Sequence, residues 1–345
     1  MRILLTADAE LPVPPLLYGG IERVIDLLIG EYLAAGHEIA LVGHPGSTSK
    51  TTAFFPWPGR TSTNRSDGWR NARALRNAVN DFDPDVIHSF SRLLWLLPLA
   101  LDHRPKVMSY QREPTGRTVR WSTLVHRGGL RFTGCSQYIC QNGRQRGGGE
   151  WTPIPNAVDV KRYDFQAHVD VNAPLVFLSR IESIKGCHTS IQIAKRTGRR
   201  LLIAGNHAEQ GEAGDYWRTT ILPEIGRNGI EYVGPVNDFQ KNELLGRAAA
   251  MVVPIEWNEP FGIVFVEALA CGTPVISCPR GALPEIVREG IDGFLVDGIE
   301  AAIDAVDRLS SLNRVDCRRR AEEMFSGAAV ARQYLALYAE SGHIQ

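Results

Sequence analysis

Two glutamates with seven residues between them, Glu259 and Glu267, stand in the stretch Glu259-Pro260-Phe261-Gly262-Ile263-Val264-Phe265-Val266-Glu267-Ala268-Leu269-Ala270-Cys271-Gly272. It follows a strand-like run, Ala250–Pro254, and reads as a helix starting near Phe261 and ending at Gly272. Glu259 then lies just outside the helix start, where it can accept hydrogen bonds from sugar hydroxyls. Glu267 projects from the second turn. The first N–H groups of a helix have no intrahelical acceptor, so those of Phe261, Gly262 and Ile263 suit a leaving phosphate. A lone carboxylate on an apolar helix face is costly without a partner, which favours a ligand role over a packing one.

Arg180 and Lys185 follow the run Leu175–Ser179 and precede a helical stretch beginning near Cys187. A forked guanidinium and a point-like ammonium past a strand can clamp a diphosphate, and spacing alone gives equal weight to two solvated surface cations. Gly19-Gly20 precedes the helix Ile21–Ala35, where absent side chains let a phosphate or sugar approach the backbone. The spacing is not the GxGxxG of a dinucleotide site. Asp81-Phe82-Asp83 is a literal DxD, but it precedes Pro84 at a helix-to-strand junction and reads as a turn.

The elements that must position these groups alternate between short apolar runs and amphipathic segments, the pattern of parallel sheets covered by helices. The runs are Arg2–Thr6, Glu38–Val42, Val86–Ser89, Lys106–Tyr110 and Arg131–Cys135, then Leu175–Ser179, Leu201–Ala204, Ile230–Val233, Ala250–Pro254, Pro274–Ser277 and Phe294–Val296. The connection from about Asp8 to Gly20 carries Pro12, Pro14 and Pro15 and far exceeds the roughly 2–6 residues of an ordinary βα loop. Long loops at the carboxyl ends of parallel strands are where ligands bind. A polar stretch between Ile154 and Pro174 separates the two sets of runs. We place the first domain at residues 1–160 and the second at 161–327, with a last helix at about 328–341 crossing back onto the first.

The length of 345 residues agrees with two domains at about 150 residues each. Basic and acidic residues balance at 38 each, so no global field marks a nucleic-acid binder. Between Arg104 and Arg146, however, nine basic residues face one acid, Glu113. With Trp121, Leu124, Val125 and Leu130 among them, two readings stand. The segment meets an anionic membrane or acceptor, or it reflects a composition in which 32 of 38 basic residues are Arg. Six cysteines without a CxxC pair, and no signal peptide, point to neither a disulfide framework nor a zinc site. They fit a reducing cytoplasm. The longest apolar stretch, Leu93 to Leu101, has nine residues and is too short to span a bilayer.

Read together, the E-x7-E segment, "EPFG", "EALACGTPVI", "GALPEIV", "YGGIERV", "IPNAVD" and "LSRIESIKG" closely resemble the retaining glycosyltransferases of family four, which have the GT-B fold. The resemblance covers nearly the whole chain with motifs in family order. It implies two doubly wound α/β domains facing across a cleft, with the nucleotide-sugar donor mainly on the second and the acceptor mainly on the first. Glu267 matches the glutamate that binds the donor ribose, and Glu259 the one that faces the transferred sugar. Arg180 and Lys185 match the diphosphate pair, Gly19 and Gly20 the glycine loop, and Phe261, Gly262 and Ile263 the backbone that holds sugar and phosphate.

The implied activity is retaining hexosyl transfer by a front-face route, with no cofactor or catalytic metal and a UDP-sugar favoured over a GDP-sugar. The alternatives are a GT-B sugar-nucleotide epimerase or hydrolase, and a silent sugar-nucleotide-binding protein. Many members carry a His after the strand matching Lys106–Tyr110, where this chain has Gln111. A Gln hydrogen-bonds a hydroxyl but does not titrate near neutrality. His88 is a second candidate for sugar or acceptor contact, beside the equally weighted reading of a satisfied histidine at a strand end. The acceptor is unassigned, with anionic and membrane-associated molecules among the options, and nucleic acid is not expected. The expected location is the cytoplasm, extending to the inner face of the membrane.

Overall fold

A computed structural model describes residues 1–16, 19–61, 63–126 and 129–342; Tyr18 of the glycine-loop motif and Arg127 of the basic segment lie outside them. The chain forms two compact units, residues 1–157 with 327–345, and residues 158–326. The divisions therefore fall at Ala157/Val158 and Ser326/Gly327, against the expected 160 and 327. Val158 N–H donates to the Phe325 carbonyl at 2.8 Å, and Val158 bridges to Ser326, which ties the second unit's two ends together.

The first domain contains β1 (Arg2–Thr6), α1 (Gly20–Ala34), β2 (Glu38–Gly43), β3 (Ala53–Pro56), α2 (Arg65–Phe82), β4 (Val86–Ser89) and β5 (Lys106–Tyr110). It continues with α3 (Gly116–Val125), β6 (Leu130–Gly134), α4 (Gln137–Gly147) and β7 (Trp151–Pro153). Its strands form a parallel sheet in the order β3-β2-β1-β4-β5-β6-β7. β3 and β7 are not among the runs read from the sequence. Both are short edge strands ending in Pro56 and Pro153, where a missing N–H costs no ladder bond.

The second domain contains β8 (Leu175–Leu178), α5 (Cys187–Thr197), β9 (Leu201–Ala204), α6 (Gly211–Tyr216), β10 (Ile230–Gly234), α7 (Asp238–Gly246) and β11 (Ala250–Val253). Then come α8 (Ile263–Ala270), β12 (Val275–Ser277), α9 (Leu283–Ile286), β13 (Gly293–Leu295), α10 (Ile299–Asp307) and α11 (Arg314–Phe325). Its parallel sheet has the order β10-β9-β8-β11-β12-β13. In both sheets the order reverses beside the first strand, between β1 and β4 and between β8 and β11. Ligands bind parallel sheets at such switch points, outside the carboxyl ends of the strands.

The last helix, α12 (Gly327–Gly342), belongs to the first domain. Helix α1 buries Val24, Ile25, Leu28, Ile29 and Tyr32, and its Tyr32 hydroxyl lies 3.2 Å from that of Tyr338 on α12. Tyr338 also reaches His88 Nδ1 at 2.5 Å. His88 Nε2 bonds Ser109 at 2.6 Å, and Ser109 bonds Thr133 and Tyr334. His88 has no exposed surface, and burial lowers its pKa to about 3, so it stays neutral. This corrects the reading of His88 as a sugar or acceptor contact in favour of the satisfied histidine: Nδ1 is committed to Tyr338 of α12 and Nε2 to Ser109 of β5. Tyr338→Phe strips a partner from a buried ring nitrogen and is expected to cost about 1–3 kcal/mol. An unfolding midpoint in urea equal to that of the parent contradicts this role.

Candidate functional site

The switch point of the second sheet brings Lys185 and Glu259 together. Lys185 stands on the turn after β8, Glu259 on the turn after β11, and Lys185 Nζ donates to Glu259 Oε2 at 2.6 Å. Trp257 Nε1 donates to the same oxygen at 3.0 Å, and the Lys185 ammonium lies 4.5 Å from the Trp257 ring centroid. Lys185 is buried, so ion pair and ring together replace its hydration. Gly262 caps α8 with φ +85, and a Cβ there would stand 2.5 Å from the Phe265 ring and 3.2 Å from Glu259. Only glycine lets the chain turn from Glu259 into the helix. Phe261 is buried, edge-on to Phe325 at 5.8 Å.

α8 starts at Ile263 and ends at Ala270, shorter by two residues at each end than expected. Glu267 lies in its second turn and is buried. Its Oε1 accepts from the Tyr163 hydroxyl and from Lys241 Nζ, each at 2.6 Å. Burial first, and then the Glu267 charge, push the Tyr163 phenol well above its ordinary range, so it stays a donor. Arg318 on α11 bonds the carbonyls of Tyr163 and Ala270 at 2.7 Å each, fixing Tyr163 against the end of α8. Neither Glu259 Oε1 nor Glu267 Oε2 bonds a described residue.

Arg180 is placed differently from Lys185. Its side chain is largely exposed and pairs with Glu182 at 2.8 Å, so the two cations of this loop differ in burial and in partner. Tyr163, Lys241 and Trp257 are absent from the residues singled out by sequence. Tyr163 and Lys241 lie 104 and 26 residues from the carboxylate they hold, and no local spacing announces them.

In the first domain the long connection after β1 is tethered. The Val13 carbonyl accepts from Thr48 and Ser49 at 2.9 and 3.0 Å. Gly19 has φ +148, and a Cβ there would stand 2.7 Å from Pro15 and 2.8 Å from the Glu22 carboxylate. Gly20 is the first residue of α1. Burial, with a smaller contribution from Asp8, raises the pKa of Glu22 above its ordinary 4.5. Gln111 directly follows β5, and its Oε1 is buried without a partner among the described residues. Asp83 ends α2 in a left-handed conformation and pairs with Arg104 at 2.5 Å, a turn position. Among the described residues no cluster of three His, Cys, Asp or Glu suits a metal ion.

Comparison with known proteins follows the same division. The family model described as "Glycosyltransferase Family 4" matches residues 18–162, and "Glycosyl transferases group 1" matches 164–324. The chain belongs to the glycosyltransferases. A D-inositol 3-phosphate glycosyltransferase of Mycobacterium tuberculosis is 36% identical over 141 residues, which is 40% of this chain and 29% of that protein. The matched stretch thus spans under a third of this curated relative.

Among solved structures, a glycosyltransferase from Rickettsia africae has a TM-score of 0.80 at 18% identity, covering 100% of this chain and 99% of that one. AviGT4, a glycosyltransferase involved in avilamycin A biosynthesis, has a TM-score of 0.70 at 24% identity, covering 100% and 98%. Anabaena HepE, solved with UDP and glucose, has a TM-score of 0.73 at 17% identity, covering 99% and 100%. These likenesses establish the GT-B fold of this glycosyltransferase family member. No helix among the described residues is long and apolar enough to cross a membrane.

Lys185→Met leaves the Glu259 carboxylate without its cation, and Glu259→Gln relieves it, so melting of the four proteins of this double-mutant cycle should give a coupling of about 1–3 kcal/mol; additive effects refute the pairing. For Glu22, whose folded pKa is raised, the stability contribution is present below the unfolded value and lost as pH rises through the folded one. Glu22→Gln should therefore melt above the parent at about pH 8, with the gain vanishing near pH 4. A pH-independent difference contradicts that assignment.

Proposed function

We propose that the protein is a retaining hexosyltransferase that takes its sugar from a nucleoside-diphosphate sugar, a uridine donor being favoured over a guanosine one. The observation that carries the reading is the pair of carboxylates at the second switch point, Glu267 buried and Glu259 partly exposed, each anchored through one oxygen. Glu267 Oε2 accepts from a ribose hydroxyl and Glu259 Oε1 from a hydroxyl of the transferred sugar. Lys185, Arg180 and the amides of Phe261, Gly262 and Ile263 stabilise the leaving diphosphate, a role that needs no metal ion or cofactor. The preference for uridine is supported by HepE, a neighbour of the same fold solved with UDP and with UDP-glucose.

Glu259 is engaged by Lys185 and Trp257 and serves as a hydrogen-bond acceptor rather than a nucleophile. The reaction then runs on one face of the sugar. The acceptor oxygen bonds the anomeric carbon as the bond to the β-phosphate oxygen breaks, the acceptor's proton passes to that oxygen, and the nucleoside diphosphate leaves. The first domain receives the acceptor, with Gly19, Gly20 and Gln111 at the carboxyl edge of its sheet. The working location is the cytoplasm.

The test is a thermal-shift screen of UDP, GDP, ADP and their hexose conjugates against the parent and Glu267→Ala. A ligand at about 100 times its Kd stabilises the folded state by roughly 2.7 kcal/mol, and UDP or a UDP-hexose should give a shift that Glu267→Ala loses. Lys185→Ala should lower turnover by about a hundredfold or more. Binding without turnover on any acceptor class would make the chain a silent sugar-nucleotide-binding protein, and no shift with any nucleotide would overturn the donor site.

A further inference from the structure

The basic segment of the first domain separates into two populations. Arg104 pairs with Asp102 and Asp83, Arg131 with Glu150 and Glu340, and Arg146 with Glu113. Lys106 is buried and donates to the carbonyls of Asp102 and Arg104 at 2.7 and 2.6 Å. Arg117 and Arg120 on α3, by contrast, are exposed and pair with no described acid. They share one stripe with Trp121 and Leu124 at i, i+3, i+4 and i+7, the spacing of a single helix face. Trp121 is 64% exposed and Leu124 69%.

The neighbouring elements repeat this pattern. The 3-10 segment Leu93–Leu99 packs between α2 and α3, and the His126 ring at the end of α3 approaches the Leu96 carbonyl at 3.3 Å. Leu94 is 57% exposed, and Leu101, just beyond the segment, 86%. On α2, Trp69 is 75% exposed and shares its stripe with the exposed Arg73 and Arg76. All three elements cross in the same direction along the sheet, and right-handed crossover places them on one face. Neither α3 nor the 3-10 segment contains an acidic residue. Of the two on α2, Asp67 is buried and Asp81 lies in the last turn.

Two tryptophans and several leucines are thus set outward among exposed guanidinium groups on neighbouring elements of one face, a combination of apolar and cationic groups that marks interaction surfaces. Indole rings favour the headgroup level of a bilayer, and arginines its anionic phosphates. A second copy of the same face would oppose like charges. We propose that this face of the first domain, formed by α2, the Leu93–Leu99 segment and α3, docks the protein on the surface of an anionic lipid bilayer. Insertion is shallow, as for an interfacial helix. α3 begins shortly after Gln111, so the docked face adjoins the carboxyl edge of the first sheet. Docking stands independently of the donor reading, because it uses none of the second domain's residues.

The test is co-sedimentation of the full chain with vesicles of phosphatidylcholine alone and of phosphatidylcholine with phosphatidylglycerol, at low and high salt. Parent protein is compared with Arg117→Glu/Arg120→Glu and Trp121→Ser/Leu124→Ser, whose positions are exposed, with far-UV circular dichroism checking the fold. The parent should bind only the anionic vesicles, less at high salt, and each double variant should lose roughly tenfold or more in partition coefficient. Absence of binding to anionic vesicles at low salt overturns the proposal. So does binding that neither variant weakens. Light scattering that shows the variants dispersing a self-associated parent without lipid binding assigns the face to a second copy instead.

Discussion

The reversal of strand order beside β8 is the constraint on which the chemistry of the second domain rests. Chain leaving β8 turns toward β9 and chain leaving β11 toward β12, so their connections diverge and leave a gap above the sheet. Lys185 lies on one connection and Glu259 on the other, and the 2.6 Å contact between them spans the gap. The same reversal beside β1 sets the tethered proline-rich connection and Gly19 at the corresponding place in the first domain.

Charge compensation follows from that placement. Two carboxylates sit at a largely apolar sheet edge, and each would be costly alone. Lys185 with Trp257 holds one, and Lys241 with Tyr163 holds the other. In both cases the two donors converge on a single oxygen, which orients the carboxylate while its second oxygen remains an acceptor. Arg318 extends the arrangement to α11 by tying Tyr163 to the end of α8. Such convergence fixes each carboxylate in one orientation before any ligand binds.

Much of this was legible in the sequence because it is local. Alternation of apolar runs with amphipathic helices marked eleven of the strands, and Gly262 with Glu259 and Glu267 marked the turn into α8. What escaped was either marginal or distant. β3 and β7 are short edge strands ending in proline, too weakly patterned to stand out. Lys241 and Tyr163 reach Glu267 only through tertiary packing, and Arg180 and Lys185 differ in burial although their spacing looks equivalent. His88 sits where a ligand contact was plausible by position, but the return of α12 from the far end of the chain encloses it. Sequence separation, rather than unusual chemistry, divides the readable features from the hidden ones.

The proposed role of Lys185, holding the diphosphate of a nucleotide ligand, is tested most directly by isothermal titration of the parent and Lys185→Ala with UDP and with uridine, each in the presence of EDTA. UDP is expected to bind the parent without metal, Lys185→Ala to weaken UDP by about tenfold or more, and the uridine affinity of the two proteins to be equal. Equal losses for UDP and uridine, or an undiminished affinity of Lys185→Ala for UDP, would contradict it.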